Sequence, residues 1–156
     1  TLAFTISSKA ASHRGVSMTF MQWDEAYAVG LADIDQQHQW LITTTNLLHD
    51  ELAHSTPDRA FIAEVLEGLM DYTVNHFILE EALFQRCEYP AGDAHKRLHD
   101  KFSATLLGVL KDFEGGADIA SGMLELMKNW LIQHILIADK AYAPYVQAAE
   151  RSQSAA

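Results

Sequence analysis

The sequence predicts an all-α protein, an up-down-up-down four-helix bundle with an N-terminal extended arm. Apolar residues recur at three- and four-residue steps through four long segments. Short breaks rich in Pro, Gly, Ser and Asp separate these segments, as expected between antiparallel neighbours. Strand-like alternation is weak throughout, and no internal repeat is visible.

Residues 20–32, FMQWDEAYAVGLA, are aromatic-rich and contain Gly30, and they read as an arm packed on the body. The first helix is expected over about 35–53, capped by Asp33 or Asp35, with His38, Leu41, Ile42, Thr45, Leu48 and Leu52 on its stripe. Thr56 and Pro57 suit the cap and first position of a second helix over about 57–86. Its stripe includes Ile62, Val65, Leu66, Leu69, Thr73, His76, Phe77, Glu80 and Phe84. Tyr89-Pro90-Ala91-Gly92 breaks it, and Asp93 is the expected cap of a third helix over about 94–114. Gly115-Gly116 ends that one. The fourth helix is expected over about 118–142, limited by Pro144. The domain reading is an N-terminal extension over 1–19, flexible and with Met18 as a natural start, a four-helix domain over 20–145, and a polar, fraying tail over 146–156.

Composition narrows the function. The chain has 156 residues, 49% of them hydrophobic, enough for one domain with its own core. Its formal net charge of −10 argues against nucleic acid and against an anionic membrane surface. No apolar run reaches the roughly 20 residues of a membrane span. With Cys87 alone no intrachain disulfide can form, which fits a reducing, cytoplasmic setting.

Polar residues interrupt the apolar stripes in a pattern. His38, His76, His95, His99 and His134 all fall on them, accompanied by Glu80 and Asp139. One such His alone reads more readily as a hydrogen-bonded core residue. Five of them with two carboxylates, on the inner faces of four helices, read as metal ligands, which bundle cores commonly host. His76 and Glu80 are i and i+4, as are His95 and His99, so each pair shares a helix face. His134 and Asp139 are i and i+5, a step of about 140° on an ideal helix. Either Asp139 approaches from the side or a local π turn realigns it. Seven such ligands exceed what one tetrahedral zinc needs, and imidazole with carboxylate suits iron, divided over two ions. Glu81, about 100° round from Glu80, is expected to face solvent. Glu51 and His54 form a single E-x-x-H, read as coincidence because no second copy exists.

His38 preceded by Ile34-Asp35-Gln36-Gln37, then 76-HFILEE-81, 95-HKRLH-99 and 134-HILIAD-139 resemble the hemerythrin signature. Trp23, Gly30 and Tyr89-Pro90 are similar to bacterial hemerythrins, and the resemblance covers about residues 20–142. It implies reversible dioxygen binding at a non-haem di-iron centre with an oxo or hydroxo bridge, for carriage, storage or delivery. It further implies that His95, His99 and His134 hold one iron and His38 and His76 the other, with Glu80 and Asp139 bridging. The second iron would then keep an open position for dioxygen. Leu41, Phe77, Trp130, Leu131 and Ile135 match bulky oxygen-pocket positions of the family, and they also read as ordinary core. With apolar candidates beside the open position, a binding protein is expected rather than an enzyme. The alternative is an oxygen or redox sensor domain, with di-iron oxidase or peroxidase chemistry third. Expected partners are dioxygen and either an oxygen-consuming enzyme or a signalling protein.

Overall fold

The structure is a computed structural model that describes residues 19–154, apart from the side chains of 120 and 121. The expected extension with His13 and Met18 lies outside the described residues, save for Thr19 at its end. The helices are α1 (Ala32–Leu52), α2 (Arg59–Arg86), α3 (Gly92–Glu114), α4 (Ala120–Gln133) and α5 (Lys140–Ser154). A π-helical segment, His134–Asp139, joins α4 to α5, so the three pieces form one unbroken rod, the fourth of the bundle. Helix α1 packs on α2, α2 on α3, and α4 back on α1. Stacking of Phe102 on Trp130, centroids 3.7 Å apart, closes the ring between α3 and α4.

At α1 and α2 the helix starts differ from the sequence expectation because carboxylates near a terminus have several backbone donors within reach. Helix α1 begins at Ala32, and Asp35 reaches back to accept from the Val29 and Gly30 amides at 2.7 and 3.0 Å. Asp58, not Thr56, caps α2, accepting from Ala60 and Phe61 amides. Helix α3 starts at Gly92 with Asp93 in its first turn, not at its cap. Pro144 does not end the fourth rod, which runs on to Ser154. Burial of Tyr142, Ala143 and Val146 against the bundle outweighs the one hydrogen bond that Pro144 cannot donate.

The arm contains one 3-10 turn, Glu25–Tyr27. It is tied to α1 by Asn46, whose amide accepts from Met21 N and donates to Met21 O, both at 2.8 Å. Gly30 lies at φ +80, and a Cβ there would meet Gln147 Nε2 at 3.0 Å, so glycine suits the bend into α1.

The bundle interior has two halves. One holds Leu48, Ile62, Leu66, Leu106, Phe113, Met123 and Met127, all buried. The other lies where α1 and α3 begin, α2 ends and the fourth rod passes through its π turn. There the buried residues are His38, His76, Glu80, His95, His99, His134 and Asp139.

Candidate metal centre

Each helix contributes to this polar half by its own periodicity. His38 sits two turns into α1, His76 and Glu80 are one turn apart on α2, and His95 and His99 are one turn apart on α3. His134 and Asp139 stand at the two ends of the π segment. A π turn takes an extra residue, so a five-residue step brings two side chains back to one face. That resolves the alternative left open by the spacing, and both side chains are buried and point to the same centre.

Two overlapping groups of ligand-type atoms result, each within 4.8 Å of one another: Glu80, His95, His99 and His134, and His38, His76, Glu80 and Asp139. Glu80 belongs to both. Its Oε2 lies 3.0 Å from His99 Nε2, 3.6 Å from His76 Nε2 and 4.0 Å from His95 Nε2. Asp139 spans the groups with two oxygens, Oδ1 at 3.2 Å from both His95 and His134 Nε2, and Oδ2 at 3.2 Å from His38 Nε2.

Hydrogen bonding alone does not account for this arrangement. His134 Nε2 lies 3.1 Å from both His95 Nε2 and His99 Nε2. His99 directs Nδ1 to Glu81 Oε1 at 3.2 Å, and His76 directs Nδ1 to Gln37 Oε1 at 2.7 Å. Donating there leaves the Nε2 of each ring as a bare lone pair turned inward. Both nitrogens of His38, Oε2 of Glu80 and both oxygens of Asp139 are buried with no hydrogen-bond partner among the described residues. The His38–Asp139 separation is short, but its direction is wrong for a hydrogen bond. Converging lone pairs and unpaired carboxylate oxygens in a dry interior are unfavourable unless cations sit between them. Nitrogens roughly 2.1 Å from one ion at right angles stand about 3.0 Å apart, so the imidazole separations fit neighbouring ligands of an octahedral ion.

Protonation points the same way. Burial pushes His76 and His99 down to about 4 and His134 to about 3, so the rings are neutral and able to ligate. Burial raises Glu80 to about 7, with the neighbouring His76 opposing. Burial also works against ionised Asp139, but the His38 and His95 rings outweigh it and hold that carboxyl well below its usual range.

The partners behind these histidines and carboxylates were not legible in the sequence. Gln37 and Glu81 orient His76 and His99. Glu81 is therefore not solvent-facing as expected: it is half-buried, and its carboxylate sits between His99 and Lys96 Nζ at 3.4 Å. The Tyr142 hydroxyl donates to Glu80 Oε1 at 2.8 Å, and burial raises this phenol well above its ordinary range. Of the expected oxygen-pocket residues, Phe77 stacks on His99 at 3.8 Å and lies 5.6 Å from Trp130, which itself stacks on His134 at 4.2 Å. Leu41, Leu131 and Ile135 are buried in the core. Glu51 and His54 are remote from the centre: Glu51 accepts from Asp58 N at 2.6 Å and holds the α1–α2 turn.

Comparison with known proteins agrees with this geometry. The family model described as the Hemerythrin HHE cation binding domain matches residues 29–146. The bacteriohemerythrin of Stenotrophomonas maltophilia is 36% identical over 131 residues, 84% of each chain. That of Methylococcus capsulatus is 34% identical over 133 residues, covering 84% of this chain and all of the relative. A crystal structure of wild-type hemerythrin superposes with a TM-score of 0.76 at 33% identity, covering 81% of this chain and 97% of the other. The buried histidine–carboxylate centre thus sits in the fold of its relatives, and the chain belongs to the hemerythrin family.

Proposed function

We propose that this protein binds dioxygen reversibly at a pair of iron ions, His95, His99 and His134 holding one and His38 and His76 the other, with Glu80 and Asp139 shared. The observation that carries this reading is the sharing of Glu80 by two buried groups with unequal numbers of imidazoles. Three imidazoles and the shared carboxylates would nearly saturate one ion, and two imidazoles would leave the other an open position. When bound, the ferrous pair would supply the two electrons that hold dioxygen there.

The chain's own residues support reversibility. Phe77 and Trp130 wall the centre with rings, and Leu41, Leu131 and Ile135 keep water from it. Gln37 and Glu81 fix the ring orientation of His76 and His99. Tyr142 keeps its proton and donates a hydrogen bond to Glu80 Oε1, so that carboxylate oxygen has a partner without water. No helix of the described residues is long and apolar enough to cross a membrane. A reducing, cytoplasmic setting suits a ferrous protein.

The test is spectroscopic. The protein is loaded with ferrous iron without air, exposed to dioxygen, and returned to an oxygen-free atmosphere while the visible spectrum is recorded. Repeated return to the colourless form is the expected result. Rapid, irreversible conversion to the ferric form would overturn a carrier or storage role, and would favour a sensor or an enzyme using the same centre.

A further inference from the structure

Oxygen binding does not use every group arranged around the centre. Tyr142 is fully buried with its hydroxyl on Glu80. Its ring lies 6.3 Å from that of Tyr89, and Tyr89 lies 5.0 Å from Tyr145, centroid to centroid. Tyr145 is 44% exposed. Three phenols therefore lead stepwise from a shared carboxylate of the centre to solvent. Of the other rings near the ligands, Phe77, Phe84 and Phe102 are not readily oxidised. Trp130 is oxidisable and stacks on His134, but Tyr142 already points its proton at a shared carboxylate.

We propose that Tyr142, Tyr89 and Tyr145 form a route that carries oxidising equivalents from the iron centre to the surface when hydrogen peroxide reaches the ferric protein. The inference rests on the reading that the centre holds iron. Peroxide takes up two electrons and two protons, its O–O bond breaks, and it leaves as two waters. Tyr142 gives one electron to the centre and passes its proton to Glu80 Oε1. Tyr89 refills the electron at Tyr142 and releases its own phenolic proton to solvent, while the proton returns from Glu80 to Tyr142. Tyr145 then refills Tyr89, which takes a proton back, and Tyr145 releases its own proton to solvent. The net change is one electron and one proton lost from Tyr145. A one-electron donor of the ascorbate class restores Tyr145 before the second equivalent follows the same path. The iron ends ferric, as it began, and the ligand histidines are spared. Without a donor, the second equivalent rests on Tyr89, and Tyr145 radicals of two chains couple through a new carbon–carbon bond.

The experiment treats ferric, iron-loaded protein with hydrogen peroxide and no donor, then reads dityrosine fluorescence and maps the crosslink by peptide mass spectrometry. A crosslink at Tyr145 is expected, with none in zinc-loaded protein. Tyr89→Phe is expected to keep the iron content and visible spectrum but lose the crosslink. A photosensitised surface oxidant should still couple Tyr145 in that variant, since the ring itself is unchanged. Equal crosslinking in zinc-loaded protein or in Tyr89→Phe overturns the route, as does oxidation mapped to Trp130 or the ligand histidines instead. Failure to bind iron would sink both the centre and the route. Iron-loaded protein that oxygenates reversibly but never crosslinks would sink the route alone.

Discussion

The two halves of the bundle are built from the same four helical rods and obey different rules. In the apolar half, Leu66, Leu106, Phe113 and Met127 need only be hydrophobic, of suitable volume, and on the inner stripe. In the polar half, His38, Glu80 and Asp139 are equally buried, yet each is tolerable only because particular atoms on other helices converge with it. Non-directional burial tolerates small errors in helix rotation, whereas converging lone pairs do not. The apolar half thus supplies the fold's stability, and the polar half draws on that stability to hold a costly arrangement.

The largest test of that contrast removes a ligand. Glu80→Ala or His76→Ala is expected to lower bound iron sharply while the helix content by circular dichroism persists. Two irons per chain retained in either variant would refute the assignment of the centre. Acid is the next lever, because it acts on several imidazoles at once. In the unfolded chain an imidazole takes its proton near 6.5, but burial holds His76 and His99 at about 4 and His134 at about 3. Between those values the unfolded state binds more protons, so stability is fully present above 6.5 and falls as pH falls toward 4. Glu80, raised to about 7, has the opposite sign, losing its contribution as pH rises through that value, but it is one group against three. Metal-free protein should therefore melt at progressively lower temperature between pH 6.5 and 4, and a flat profile would contradict the neutral, buried rings.

A change in the apolar half should separate stability from metal binding. Leu66→Ala, in a side chain 1% exposed, is expected to cost about 2–5 kcal/mol in denaturant unfolding while iron stoichiometry stays unchanged. Loss of iron at denaturant concentrations where the variant is still folded would show that the halves are coupled through packing. The smallest effect tests the boundary between them. Glu81→Ala leaves every ligand in place but frees His99 Nδ1, and should weaken metal affinity by about 10–100-fold in chelator competition. An unchanged affinity would mean that Phe77 stacking alone orients His99.

The four rods, the approximate limits of the first three and the seven inward polar residues follow from the sequence. Each depends on periodicity within one helix, and a helix fixes which residues share its face before it meets any neighbour. Resemblance to the hemerythrins added the proposed division of these residues between two ions. Other features depend on how one helix is rotated and shifted against the next. Glu81 lies about 100° round α2 from Glu80, yet α3 approaches closely enough for it to reach His99. Tyr142 stands at the expected end of the fourth helix, and only the way that rod packs against α2 brings its hydroxyl to Glu80. The choice of a π turn at His134–Asp139 belongs here too. The i and i+5 spacing permitted two arrangements, and only the tertiary structure, with three other helices presenting their ligands to one point, selects the turn that brings both side chains inward.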